Sequence, residues 1–329
     1  TFLAAFVYPL LLLRTVRTAA EDGFGFVPNL GVTLSILLGL ASVGVLIYFV
    51  HHLAVLIRAP KVIEMVGIEL DDAIDTNIDR EPVGVTEERQ LPEAPGRESR
   101  SIVSRAGRAG YVAFIDYDSL ISVADDHEAL LWTVVRPGDF VFEQTPLVVC
   151  QQMEEGDFGE DERKQIANAV RIGNRRTLSG DVSFGVNQLT EIAQRALSPG
   201  INDPFTACNC IERLGASLSR AGGRAMPQRV GKDLHGKLRV VLQQPTWQDL
   251  IETAFDPIRR YGRGDAEVMK TLLDTLRRLL DACPPHRHET LKTQADAALA
   301  ACESGDLDQR DVSIVRHAHE RFRERLGDC

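Results

Sequence analysis

Two short stretches of this chain gather the residue types that could bind or transform a small molecule. Arg175, Arg176, Thr177, Ser179 and Asp181 precede one helix-forming run, and Asn202, Asp203 and Thr206 open the next. A helix N-terminus carries unpaired N–H groups and the positive end of the peptide dipole, so it attracts anions. Two such ends side by side, with Arg175 and Arg176 near them, would hold a phosphate or carboxylate. The candidate ligand-binding set is therefore Arg175, Arg176, Asp181, Asn202 and Asp203. The plainer reading is that Asp181 and Asp203 cap their own helices and that an Arg–Asp pair fixes the corner between them.

Support for catalysis is thin. Ser198 does not sit in a G-x-S-x-G elbow. The chain contains no Walker loop, no dinucleotide fingerprint and no H-E-x-x-H pair. Cys208 and Cys210 fall two apart in a helical stretch, where side chains point to different sides. His286, His288, His317 and His319 read as surface or capping residues. We therefore expect no catalytic residue, no metal site and no cofactor, with the balance against an enzyme. Asp116, Tyr117 and Asp118 make an acidic point at a strand end, suited to capping a helix or meeting an arginine.

The elements that must carry these residues are of two unlike kinds. Between Asp22 and Arg58 there is no Asp, Glu, Lys or Arg, and Leu30 to Ile57 is apolar on every face. About 20 such residues cross a bilayer core, whereas a surface helix would show a polar side. Thr1 to Leu13 is also uncharged and reads as the tail of a second span, because no basic stretch precedes it as in a signal peptide. Phe24 to Asn29 would then join the two as an antiparallel hairpin. His51 and His52 fall near the end of the long run beside Tyr48 and Phe49. They suit the membrane interface, or proton sensing through the near-neutral titration of histidine.

The rest of the 329-residue chain is charged and acidic, with a formal net charge of −10. The mean hydropathy of −0.09 averages over both parts. An acidic chain is a poor nonspecific nucleic-acid binder. Six scattered cysteines form neither a disulfide framework nor paired C-x-x-C motifs, which favours a reducing compartment. Basic residues tie across the spans, so they do not set the orientation.

The expected order is membrane helices over 1–58, a stalk helix and linker over 59–105, a small β module over 106–150, and a mainly helical domain over 151–329. The fold class is α+β, a transmembrane hairpin followed by a soluble part. Val62 to Ile78 interleaves apolar and acidic residues at helical spacing. The β module ends in a Pro137-Gly138-Asp139 turn and a strand. It looks like a fragment of a biotinyl/lipoyl-type hybrid barrel, but no lysine lies between Lys61 and Lys164 to carry a cofactor. Glu162 to Gly173 reads as one helix, Asp181 to Leu197 as another. Asp203 and Pro204 suit an N-cap and first helical residue. Thr246 and Asp249 frame a further start, with Pro257 expected to bend or end that helix.

The stretches "FVYPLLLLRTVR", "YFVHHLAVLIR", "GYVAFIDYDSLISVA", "VRPGDFVFEQTPL", "RALSPGINDPFTACNCIERLG" and "PTWQDLIETAFDPIRRYG" together resemble the bacterial membrane proteins grouped as domain of unknown function 2254. The resemblance implies about four spans in the complete protein, of which this chain keeps the last two, with the soluble part cytoplasmic at the inner (plasma) membrane. It implies no catalytic residue. Three functions stay open. The soluble domain regulates or gates membrane helices in a homo-oligomer, as a channel or sensor. Alternatively, a membrane-anchored enzyme or binding protein takes an anionic small molecule at the Arg176/Asp181/Asn202/Asp203 corner. A third possibility is a scaffold that binds another protein. The lipid bilayer is the partner common to all.

Overall fold

The structure is a computed structural model that describes residues 7, 8, 10, 11, 29–56, 59–82, 100–151, 158–176, 181–226, 230–305 and 307–328. The chain divides into two compact units, Thr1–Val62 and Ile63–Cys329.

The first unit is dominated by helix α1 (Asn29–Leu56). Within it Asn29–Phe49 is 21 residues long, with a mean hydropathy of 2.4 and no buried residue. At 1.5 Å per residue this is about 31 Å, close to the thickness of a bilayer's hydrocarbon core. Ile36, Leu37, Leu40 and Ile47 are each more than half exposed, so no side of the helix is turned to a protein core. Among the described residues it is the one helix long and apolar enough to cross a membrane. Of the earlier apolar segment only Val7, Tyr8, Leu10 and Leu11 are described, and they are helical. The expected hairpin loop is outside the described residues up to residue 28.

Two residues separate helix α2 (Ala59–Asn77) from the end of α1 in the chain. Ile63, Val66, Leu70 and Ile74 lie on one stripe and are all buried. A stalk helix continuing out of the membrane was the expectation for this segment. From Ile63 onward it belongs to the second unit, because its apolar stripe needs burial and its acids find arginines. Asp71 pairs with Arg213 at 2.6 Å, and Asp75 pairs with Arg220 at 2.6 Å and Arg224 at 2.7 Å.

The second unit is mixed α and β and mostly helical. Strands β1 (Asp79–Pro82), β2 (Arg100–Arg105) and β3 (Gly110–Ile115) lead into α3 (Tyr117–Asp126). Strands β4 (Leu131–Thr133), β5 (Phe140–Val141) and β6 (Pro146–Gln151) follow. Then come α4 (Glu160–Ala169) and β7 (Val170–Gly173). The expected helix to Gly173 thus stops at Ala169. Val170, Arg171 and Ile172 leave it to pair antiparallel with β3, a pairing that suits β-branched residues on a pleated surface.

Helices α5 (Val182–Ala196) and α6 (Pro204–Gly222) come next, then β8 (Arg224–Ala225), β9 (Val230–Lys232) and β10 (Leu238–Val241). Helices α7 (Trp247–Gly262), α8 (Ala266–Ala282), α9 (His288–Glu303) and α10 (Gln309–Asp328) complete the chain.

The strands form a five-stranded sheet ordered β2-β6-β4-β10-β9, a three-stranded sheet ordered β5-β3-β7, and the pair β1-β8. The segment 106–150 therefore does not close on itself. Its strands are shared between two sheets, each completed by β7 or β10 from the later, mainly helical region. Val240 pairs in parallel with Leu131, more than a hundred residues earlier in the chain. Leu120, Leu131, Val148, Cys150, Ile166 and Val240 form a core there. The helices bury a second set, including Leu189, Leu214, Phe255, Leu276 and Phe322, each fully inaccessible.

Pro257 sits inside α7 without ending it. Lacking an N–H, it leaves the carbonyl four residues back without its helical donor. The buried Thr190 hydroxyl of α5 lies 3.3 Å from that Thr253 carbonyl, and 2.9 Å from its own Val186 carbonyl. A polar neighbour thus stands at the gap, and the apolar stripe of α7 holds the helix in place.

Candidate functional site

Asp181 begins α5 as its N-cap, accepting a hydrogen bond from the Phe184 N–H at 3.1 Å. Arg176 donates through Nε to the other carboxylate oxygen at 2.7 Å. The Asp181 side chain is buried while that of Arg176 is a quarter exposed. The guanidinium also lies over the Phe184 ring, 5.2 Å from its centroid. Burial pushes the Asp181 carboxyl above its ordinary value, and the Arg176 bond offsets only part of this.

The Pro137-Gly138-Asp139 turn closes over this pair. Gly138 has a φ of +93°, and a Cβ there would meet the Asp181 carboxylate and lie 2.7 Å from Arg176 Nε. Glycine is needed both for the backbone and for the approach. The Asp139 side chain accepts from the Arg136 N–H at 3.0 Å. Arg136 in turn reaches Asp249 at 3.9 Å. Asp249 and Thr246 make a reciprocal capping box at the start of α7. The turn thus rests on the starts of two helices. Sequence reasoning found Arg176 and Asp181 but missed Gly138, Arg136 and Asp249 as their neighbours, since contacts of long sequence separation leave no local spacing to read.

Asp203 caps α6, accepting from the Thr206 N–H at 3.1 Å and the Thr206 hydroxyl at 2.6 Å. The hydroxyl first, then the N–H, holds its carboxyl below the usual range. Asn202 stands in the left-handed region, φ +49°, where asparagine is better tolerated than most residues. The fifteen residues of α5 lie between Asp181 and Asp203, a separation of about 22 Å along the helix. The structure therefore places the candidate residues in two groups: Arg176 with Asp181, and Asn202 with Asp203. Each helix start is already occupied by its own carboxylate. Arg175 is exposed.

His51 and His52 fall in the final turns of α1, past the apolar window that ends at Phe49. Their side chains are outside the described residues. His288, expected as a surface or capping residue, is a buried cap; its Nε2 sits 2.9 Å from the Cys283 carbonyl and 3.2 Å from that of Leu280. It closes the C-terminal end of α8, whose last carbonyls need donors. Its neighbour Arg287 is also buried. It donates to the Gly222 carbonyl at 2.8 Å and the Ala221 carbonyl at 3.1 Å, at the end of α6. Burial raises the thiols of Cys210 and Cys283 to about 12, which makes them poor nucleophiles. Among the described residues no three His, Cys, Asp or Glu side chains converge as metal ligands.

A second polar assembly was missed entirely. Arg213, Ser217, Arg220 and Arg224 recur at spacings of four, three and four along α6 and just beyond it. Ser217 joins Arg213 on Asp71 at 2.7 Å, while Arg220 and Arg224 share Asp75. Gly67 makes room on α2, since a Cβ there would collide with the Arg213 side chain. Only the 4-3-4 spacing of polar residues against Asp71 and Asp75 was available as a signal.

A third lies in the β9–β10 hairpin. The Asp233 carboxylate binds Arg239 at 2.8 Å, and Arg239 also holds Asp125 at 2.7 Å. Burial alone would push the Asp233 carboxyl up. The Lys237 N–H, the Arg239 guanidinium and the His235 N–H outweigh it and hold the group at about 2.

A family model described as predicted membrane protein (DUF2254) matches residues 1–278. Two similar proteins, from Mycobacterium bovis and Mycobacterium tuberculosis, are each described as an uncharacterized protein. Each is 32% identical over 328 residues, covering 98% of this chain. The chain spans 62% of the length of those relatives. No solved structure matches it. The sequence match and the exposed apolar helix agree: the chain belongs to the domain of unknown function 2254 family of predicted membrane proteins.

Proposed function

We propose that the second unit regulates or gates membrane helices, in a homo-oligomer that works as a channel or sensor at the inner membrane. The observation that carries this reading is the build of α2. It follows α1 in the chain after Ile57 and Arg58, and it is held in the second unit by a buried stripe and by the Asp71 and Asp75 ion pairs. A displacement of α6 would reach α2 through those pairs, and the covalent chain leads on to α1. Small residues along α1, Ser35, Gly39, Ser42 and Gly44, suit close approach of membrane helices.

A multi-pass topology with a cytoplasmic C-terminal part fits this reading. It is supported by Cys208, Cys210, Cys283 and Cys302, which form no disulfide and suit a reducing compartment. An anionic small molecule at Arg176 has weaker support, because Asp181 already fills the helix start and the guanidinium.

The test is ion flux across liposomes that hold the full chain, compared with the Asp71→Ala/Asp75→Ala double variant. The reading expects flux in the parent and a changed open fraction in the variant. Vesicles that stay tight to ions in both, with the protein correctly inserted, contradict the channel version.

A further inference from the structure

The outer face of the three-stranded sheet is aromatic and basic, and nothing in the gating proposal uses it. Tyr111 pairs with Phe140 across β3 and β5, and Phe114 pairs with Arg171 across β3 and β7. Directly opposed residues share one face of a sheet. Between them Val112 and Val141 turn inward and are buried, and Ile172 packs on the same core. The outward set is thus Tyr111, Phe114, Phe140 and Arg171, with Phe142 continuing the alternation beyond β5. Phe114, Phe140 and Phe142 are 47%, 52% and 70% exposed. The rings touch one another edge to face, at 4.9 Å for Tyr111–Phe140 and 5.7 Å for Phe140–Phe142. The Arg171 guanidinium lies over Phe114, 5.8 Å from the ring centre. Arg108, in the β2–β3 turn, donates to the Ile172 carbonyl and so brings a second exposed guanidinium to the edge of β7. Glu143 lies in the turn after β5, and Asp139 before the strand is engaged by Arg136.

Grouped exposed aromatic rings on a soluble body mark a docking surface. We infer that this face rests on an anionic bilayer surface, the rings entering the headgroup layer and Arg108 and Arg171 meeting lipid phosphates. Two observations choose that occupant. Rings with guanidinium groups are the side chains favoured at the membrane–water boundary. The face is cationic on a chain whose net charge is −10, so it complements acidic lipids while the bulk of the molecule is repelled by them. The chain also carries its own membrane-length helix, which keeps a bilayer at hand.

A tryptophan reporter reads this directly in the full chain, because the two native tryptophans, Trp132 and Trp247, are buried. Phe142→Trp, and Phe140→Trp as an independent second position, are reconstituted in phosphatidylcholine vesicles with or without phosphatidylglycerol. Each set includes lipids brominated near the headgroup. Phe205→Trp, at an exposed site on α6, is the comparison. The inference expects a blue-shifted emission quenched by the brominated lipid in the anionic vesicles. High salt, or the Arg108→Glu/Arg171→Glu change, should abolish both effects, and the Phe205→Trp reporter should be unaffected. Emission that stays red and unquenched at both positions overturns it. Equal quenching in the Phe205→Trp variant, or equal quenching without anionic lipid, overturns it as well. A blue shift that follows protein density without lipid quenching assigns the face to a second copy of the chain and also overturns it.

Discussion

Helices α1 and α8 are both rich in leucine, and they treat it in opposite ways. In α8 the residues Leu272, Leu273 and Leu276 have no accessible surface, while Glu267, Arg278 and Asp281 on the other side of the helix are exposed. In α1 Leu37 and Leu40 are 58% and 66% exposed, and no residue on any side offers an alternative face to water. A buried leucine contributes roughly 1.5–3 kcal/mol through removal from water. The leucines of α8 gain this within the protein. Those of α1 gain it only if lipid surrounds them. The contrast teaches that the same residue type reports a core or a membrane according to whether a polar stripe accompanies it.

The comparison can be broken from either side. Leu276→Ala should lower the stability of the second unit by about 2–5 kcal/mol and leave membrane association unchanged. Denaturant unfolding of the full chain in detergent measures the first, and fractionation the second. Leu40→Arg should do the reverse. It should disfavour insertion by about 2.5–3.5 kcal/mol, seen as protein lost from the membrane fraction, with the unfolding midpoint of the second unit intact. If Leu40→Arg instead unfolds the second unit, α1 is a core helix and the contrast is false.

A smaller pair of effects separates the two helix caps. Asp181 is buried with Arg176, and removing it strips both a cap and the arginine's partner. Asp181→Ala should cost about 3 kcal/mol, the low end for a buried pair because Arg176 is partly exposed. Asp203→Ala should cost about 1 kcal/mol, the usual value of an N-cap.

Their pH dependence runs in opposite directions. Asp203 and Asp233 titrate below their unfolded values. The stability they contribute is complete above the unfolded carboxylate range and is lost as the pH falls through the folded values, about 2 for Asp233. Asp181 is shifted upward, so the folded chain takes up that proton first and acidification through this range favours the fold. Asp203→Asn should flatten the acid-side loss, and Asp181→Asn should remove the gain. Equal slopes in both variants, measured as unfolding midpoint against pH, contradict the assignment of burial as the difference.

The parts legible in the sequence were those set by neighbours in the chain. Asp203-Pro204 and the Thr246/Asp249 box marked helix starts, and the uncharged run before Arg58 marked α1, because capping and hydropathy act over a few residues. The illegible parts were set by distant partners. Val170 to Gly173 became a strand only because β3 offered an open edge. Pro257 stayed helical because the buried stripe of α7 outweighs one lost hydrogen bond, with Thr190 beside the vacant carbonyl. The ligand candidates split for a similar reason. Arg176–Asp181 and Asn202–Asp203 look adjacent as motifs, yet a full helix separates them. The partners of Asp71 and Asp75 on α2, namely Arg213, Arg220 and Arg224, lie more than a hundred residues further along the chain.

The most direct test of the central claim is the reactivity of single cysteines placed along α1, at Leu34, Leu37, Leu40 and Leu46, in native membranes. The background is a variant with the native cysteines replaced, and the probe is a water-soluble maleimide. Lipid solvation of α1 predicts that all four stay unlabelled until detergent is added, whichever side of the helix they occupy. Labelling of any one side in intact membranes, or of all four in a chain that remains in the aqueous fraction, would contradict it.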